Sequence, residues 1–171
     1  MDGAAAAATG DAPDDPLGEA IARCYRHLGE REHTTAQLRR RLLRARTDPE
    51  VAEQALEALR EQGYLDDARY ARLLVEDRRR IDGWGAQRIR QALESADVER
   101  DTIEEALTGT THATELEAAT TLLGRRLTAA PRDDRERARA FGILIRAGYE
   151  SEVAYDAIRA IGGGEADFLA A

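Results

Sequence analysis

Four columns of small and apolar residues recur in this chain at a constant spacing of 51 residues. They are Leu42, Leu93 and Leu144; Ala45, Ala96 and Ala147; Ala55, Ala106 and Ala157; and Leu56, Leu107 and Ile158. All four align without a gap. Self-similarity at such an interval means stacked copies of one supersecondary unit, each too small to bury its apolar face alone. The spacing predicts three tandem units of three helices. Each unit has an amphipathic helix, a basic helix and a short closing helix.

Helical periodicity fills the intervals. Leu17, Ile21, Cys24, Tyr25 and Leu28 share one face of a first helix. Thr34 or Thr35 caps the next, whose inner face is Leu38, Leu42 and Ala45. Asp48-Pro49-Glu50 is a helix start, with Asp at the cap and Pro where its missing N–H costs nothing. Val51, Ala55, Leu56 and Leu59 carry that helix to Gly63. The first helix of unit two is read on Tyr70, Leu73, Leu74 and Ile81, and that of unit three on Leu116, Ala119, Leu122, Leu123 and Leu127. After Pro131 comes a helix with Ala138, Phe141, Leu144 and Ile145. Gly148 ends it, and Ser151 caps a last helix of Val153, Ala157, Ile158 and Ile161. No stretch alternates β-branched and polar residues, so no sheet is expected. The predicted organisation is a disordered acidic tail over 1–15, repeats over 16–65, 66–110 and 111–162, and a flexible tail over 163–171. The fold class is all-α: an elongated, curved array of three tandem three-helix repeats.

The central stretch carries the most specific pattern. It opens Gly63-Tyr64-Leu65-Asp66-Asp67-Ala68-Arg69-Tyr70-Ala71 and passes through Arg78-Arg79-Arg80 to Gly83-Trp84-Gly85. It closes Ile89-Arg90-Gln91-Ala92-Leu93. Gly63 reads as a left-handed helix cap, and Asp66 or Asp67 as the cap of the following helix. This run resembles the central repeat of the RecX family, regulators of the RecA recombinase, and the flanking repeats extend the resemblance over roughly Leu17 to Ile161. The family is built from three-helix repeats and usually places glycine between the second and third helix of a unit. Gly148 occupies that position in unit three, but Asp97 and Arg46 stand there in units two and one. Asp adopts the left-handed conformation at modest cost and Arg less readily.

Composition narrows the function classes. Of 171 residues, 34% are charged and 5% aromatic, which suits helices with wide solvated faces. Net charge is −8, so bulk charge alone does not hold the chain on naked nucleic acid. The tail to Glu19 carries five acids and no base, leaving only −3 for the rest. Cys24 is the sole cysteine, which excludes an intrachain disulfide and is compatible with a reducing cytoplasm. Ala4 to Ala8 is too short, and lacks the basic flank, for a secretory signal. His27 and Cys24 lie three apart, but no second pair completes a zinc site. There is no lysine and hence no Gly-x-x-x-x-Gly-Lys phosphate loop. Asp66-Asp67 is explained by capping. The expectation is no catalytic residue, no metal and no cofactor.

The arginines are the remaining signal. Ala20 to Arg46 holds eight of them against Glu30 and Glu32, a local charge of +6. On the helix after Thr35, Arg40 and Arg44 fall opposite Leu38 and Leu42. The candidate contact residues are Arg39, Arg40, Arg41 and Arg44 in unit one, and Arg78, Arg79, Arg80, Arg88 and Arg90 in unit two. Trp84 is either a core plug or an exposed anchor. Arg132, Arg135, Arg137 and Arg139 are interleaved with acids and read as a solvated face. The resemblance implies a cytoplasmic, monomeric, non-enzymatic regulator. It would lie in the groove of a RecA filament on single-stranded DNA and suppress ATP hydrolysis, strand exchange and co-protease activity. Two other classes fit the residues: a nucleic-acid-binding module whose arginines meet phosphates directly, and a generic helical adaptor.

Overall fold

The structure, a computed structural model, describes residues 15–163. The tails expected over 1–15 and 163–171 lie outside the described residues except for Asp15 and Gly163. Asp15 is an ordered cap, and the last helix runs on to Gly163. All regular structure among the described residues is helical: α1 Pro16–Leu28, α2 Thr35–Arg44, α3 Pro49–Glu61, α4 Asp67–Asp77, α5 Ala86–Ser95, α6 Arg100–Ala106, α7 His112–Arg126, α8 Asp134–Ala147 and α9 Ser151–Gly163. A π-helical turn, Arg78–Asp82, continues α4. The chain divides after Leu65 into two compact units.

In the first unit, α1 and α2 pack on α3. The core is Ala20, Cys24, Leu38, Leu42, Ala52, Ala55, Leu56, Leu59 and Leu65. Local chemistry sets each helix start. The Asp15 carboxylate accepts from Gly18 N–H at 2.9 Å, the Thr34 hydroxyl from Gln37 N–H at 3.1 Å, and Asp48 from Glu50 N–H at 2.9 Å. Gln37 reaches back to accept from Thr34 N–H, completing a capping box. Burial pushes the Cys24 thiol up to about 11, so it fills space and does not react. Ala45, expected on the inner face of α2, is exposed at its C-cap.

One turn recurs in all three repeats. Arg46, Asp97 and Gly148 have φ of 61°, 54° and 89°. Each donates its N–H to the carbonyl three residues back, at 3.0, 2.9 and 3.0 Å. The following residue donates to Leu42, Leu93 or Leu144 at 3.0, 3.1 and 3.1 Å. The left-handed closure is therefore a property of the repeat, and in the first two repeats the chain accepts roughly 1–2 kcal/mol of backbone strain to keep it.

The second compact unit contains two helix triplets. Ala71, Val75, Ile89, Leu93, Ala96, Val98, Ile103 and Leu107 form one cluster. The other is built from α7, α8 and α9 around Ala119, Leu123, Leu144, Tyr149 and Ala157. The expected face of α4 is wrong in part. Leu73 is 43% and Ile81 66% exposed, while Ala71 and Val75 face inward. The π turn widens the helix by one residue, so a face projected at 100° per residue loses register before Ile81. Ser151, expected as the cap of α9, is its first helical residue.

The triplets are joined end to end. The first N–H groups of α5 meet the last carbonyls of α8: Gly85 donates to Ala147 at 2.9 Å and Gln87 to Gly148 at 3.2 Å. Each helix end thus satisfies groups the other leaves open. The buried Tyr149 hydroxyl donates to the Gly83 carbonyl at 3.1 Å. A Cβ on Gly85 would stand 2.5 Å from the Gly148 oxygen, and one on Gly148 would stand 2.3 Å from Arg88 Cβ.

Candidate arginine cleft

The α5–α8 junction opens on one side into a cleft of about 480 Å³. Its walls carry Arg78 and Asp82 from the π turn, Trp84 from the turn after it, Arg88 from α5, Arg126 from α7 and Arg146 from α8. Leu122, Ile143 and Ala147 supply apolar surface between them. Arg126 and Arg146 sit in the last turns of their helices, where the helix dipole favours positive charge.

Trp84 is half-buried against the core and holds the cleft together. The Arg88 guanidinium lies 4.0 Å from its ring centroid and that of Arg78 4.9 Å. Arg88 also donates to the Arg146 carbonyl at 3.0 Å, so its position is fixed twice. Arg78 is paired with Asp82 at 2.7 Å. No carboxylate partner stands beside the Arg126 or Arg146 guanidinium among the described residues. Four cations therefore face one anion in a chain whose net charge is −8.

The other candidate arginines separate into groups. Arg39 is held by Glu53, with Nη2 donating at 2.8 Å, and Arg90 by Glu104, with Nη2 donating at 3.1 Å. These arginines hold the Glu53 and Glu104 carboxyls below the usual range. Exposed pairs of this kind are screened by solvent, so they neutralise charge more than they stabilise. Arg80 leans on Asp77 at 3.5 Å. Arg79 turns inward and donates to Thr110 Oγ1 at 2.6 Å and to Glu115 at 3.4 Å. Glu115 is only 7% exposed and also accepts from Ala86 N–H at 3.0 Å, capping α5 from a different triplet. Arg79 is thus a structural residue. Arg40 and Arg44 are exposed on α2, and Arg41 is half-buried. Arg132, Arg135, Arg137 and Arg139 all face solvent, and Arg137 pairs with Asp134 at 3.1 Å.

Sequence reading did not single out Arg126 and Arg146. They lie 20 residues apart and far from Arg88, and only the docking of α5 on α8 unites them.

Residues 20–59 match the first three-helix domain of RecX, and residues 66–107 the second. The chain is 38% identical over 141 residues to the regulatory protein RecX of Deinococcus radiodurans, covering 82% of this chain and 67% of that one. This chain belongs to the RecX family. Regulatory protein RecX of Leptothrix cholodnii is 37% identical over 137 residues, covering 80% and 85% of the two chains. A crystal structure of a regulatory protein RecX superposes with a TM-score of 0.70 at 28% identity, over 85% of this chain and 72% of that one. RecX from Lactobacillus salivarius shares the fold at 16% identity, with a TM-score of 0.74 over 86% and 97%. The α7–α9 triplet lies outside both matched RecX domains, yet it repeats their left-handed turn.

Proposed function

We propose that this chain regulates a RecA-type recombinase. It binds along the groove of the filament on single-stranded DNA and lowers ATP hydrolysis, strand exchange and co-protease activity. The observation that carries this reading is the match of two consecutive helix triplets to the two RecX domains. Tandem helical units spread many modest contacts along a polymer, and α2 of the first unit offers exposed arginines for them. The chain acts by occupancy, as a cytoplasmic monomer without turnover. Among the described residues, no helix is long and apolar enough to cross a membrane.

The test is the single-stranded-DNA-dependent ATPase of RecA with this protein titrated in. Hydrolysis falls with rising protein and recovers when RecA is added in excess. Unchanged hydrolysis at a saturating dose defeats the inhibitor reading.

A further inference from the structure

We infer that His27 and His33 form a two-imidazole site in the first unit for a borderline transition-metal cation such as Zn²⁺. This goes beyond recombinase regulation and holds whether or not that reading does. The two rings stand 6.0 Å apart, centroid to centroid, at an interplanar angle of 77°. His33 is buried and His27 half-buried. Each keeps one buried nitrogen without a hydrogen-bond partner among the described residues: Nδ1 of His27 and Nε2 of His33. Sequence spacing set His27 beside Cys24, whereas the fold sets it beside His33.

The tautomer of His33 follows from its neighbour. Gln37 Oε1 accepts from Thr34 N–H at 3.4 Å, so the atom 3.0 Å from His33 Nδ1 is an oxygen, and Nδ1 donates to it. A neutral ring with its proton on Nδ1 carries a bare lone pair on Nε2. Metal-ligating histidines are arranged in this way, the second nitrogen donating to a fixed acceptor. Burial lowers the His33 pKa, which keeps that lone pair free near neutral pH. Unpaired buried nitrogens are costly, and one ion bound to both relieves two of them. Zn–N bonds of about 2.0–2.1 Å place the ring centroids of two ligands on one ion roughly 5–6.5 Å apart, a range that includes this pair.

The donor set selects the ion. Imidazole suits Zn²⁺, Cu²⁺ and Ni²⁺, while Ca²⁺ and Mg²⁺ require oxygen. Among the described residues no three His, Cys, Asp or Glu side chains are set to hold a metal, so water fills the other positions. Arg31 and Arg41 act on His33 and oppose a cation. Affinity is therefore expected well below that of a closed four-ligand zinc site. His27 lies in the last turn of α1 and His33 directly precedes the Thr34 cap of α2. A shared ion ties the two helices across the connection between them.

The experiment uses the full chain, stripped with EDTA and desalted, with no recombinase present. Zinc chloride is titrated in by calorimetry at about pH 7.5, and thermal unfolding is followed with and without zinc. One ion binds per chain and raises the Tm. His27→Gln and His33→Gln each weaken binding at least about tenfold. His112→Gln, which removes the remaining histidine, binds like wild type. Binding weakens as pH falls toward about 6, because protons compete for the rings. Unfolding curves confirm that His27→Gln, altered at a half-buried ring, is native. Equal zinc binding by wild type and His27→Gln overturns the site. No binding by wild type leaves both nitrogens to a bridging water and overturns it too. A tenfold loss in Cys24→Ala, or equal binding of Ca²⁺, overturns the two-imidazole assignment. Since RecA is absent, failure here leaves the ATPase test intact, and failure there leaves this one intact.

Discussion

Phe141 stacks on Tyr155 with ring centroids 4.8 Å apart. One repeat earlier, 51 residues back, the same two positions hold the ion pair Arg90–Glu104, and a further 51 back they hold Arg39–Glu53. One geometric contact between the second and third helices of a triplet is thus made twice with charge and once with rings. Tyr155 remains 60% exposed, so the ring pair leaves apolar surface in water where its counterparts are polar.

Installing the ion pair in the last triplet, as Phe141→Arg/Tyr155→Glu, removes a ring contact worth about 0.5–1.5 kcal/mol beyond its buried area. It adds an exposed pair worth less than about 1 kcal/mol. The expected result is a net loss of about 1 kcal/mol in urea unfolding. The reverse exchange, Arg90→Phe/Glu104→Tyr, is neutral or stabilising. A clear loss of stability in both exchanges would show that the positions are not equivalent.

The end-to-end junction of α5 and α8 rests on missing side chains. Gly148→Ala adds a left-handed penalty of roughly 1–2 kcal/mol to the overpacking caused by a Cβ 2.3 Å from Arg88 Cβ. The expected loss is about 3 kcal/mol. Gly85→Ala, blocked by backbone at 2.5 Å, loses about 2 kcal/mol or more. Gly124 lies in α7, and a methyl added there would meet nothing within 4 Å, so Gly124→Ala gains about 0.5–1 kcal/mol. Chemical denaturation of the three variants checks the order, and a mild Gly148→Ala would deny the close approach.

Sequence reading reached what is encoded locally. Thr34, Asp48, Asp66 and Gly63 act within a few residues of themselves, and periodicity marks where each helix runs. The 51-residue alignment placed Arg46 and Asp97 opposite Gly148, and all three share the left-handed turn. The reading failed where small residues took the inner face. On α4, Ala71 and Val75 are buried while the larger Leu73 and Ile81 face water, and the π turn has no apolar signature. It also mistook Arg79 for a surface cation. Its partners Thr110 and Glu115 lie 31 and 36 residues away, and no local pattern announces them. The cleft was half legible: Arg78, Trp84 and Arg88 cluster in sequence, but Arg126 and Arg146 arrive by tertiary docking.

Burial pushes the Tyr149 hydroxyl up to about 12, and the nearby Glu115 carboxylate acts in the same direction. Its folded value lies above the unfolded value of about 10. The protonated form therefore stabilises the fold fully below about pH 10, and that stability is lost as pH rises from about 10 toward 12. On the order of 2 kcal/mol disappears over this window. Tyr149→Phe loses about 1 kcal/mol at neutral pH, with its bond to Gly83, but has a flatter alkaline limb. Parallel limbs for wild type and variant would show that Tyr149 titrates like an exposed tyrosine.

His33 is expected to set an acid limit on the stability of the first unit. The ring is buried, Nδ1 meets Gln37 Oε1 at 3.0 Å, and Nε2 has no partner. Burial lowers its pKa, the Gln37 bond opposes the shift, and Arg31, Arg41 and His27 lower it further. The neutral form is favoured in the fold. The resulting stability is present above the unfolded value of about 6.5 and is lost as pH falls through the lower folded value. Unfolding followed from about pH 7.5 down through about pH 5 should show a decline that His33→Leu flattens. An unchanged decline in the variant would assign the acid limit to carboxylates instead.

Arg40 and Arg44 are the pair whose reversal tests the proposed recombinase regulation. Both are exposed on α2, whose opposite face buries Leu38 and Leu42. Replacing both by Glu should therefore change stability by less than about 0.5 kcal/mol each. Binding suffers more, because each reversal turns attraction toward an acidic or phosphate-lined groove into repulsion. Half-inhibition of the RecA ATPase should need roughly ten times more protein, about 1.4 kcal/mol, with the difference shrinking at high salt as exposed charges are screened. Arg132→Glu/Arg135→Glu is the control: both side chains are exposed, but Asp133, Asp134 and Glu136 already surround them, so inhibition should match wild type. If the Arg40/Arg44 variant inhibits as well as wild type, α2 is not the contact face. The regulatory reading then rests on family membership alone.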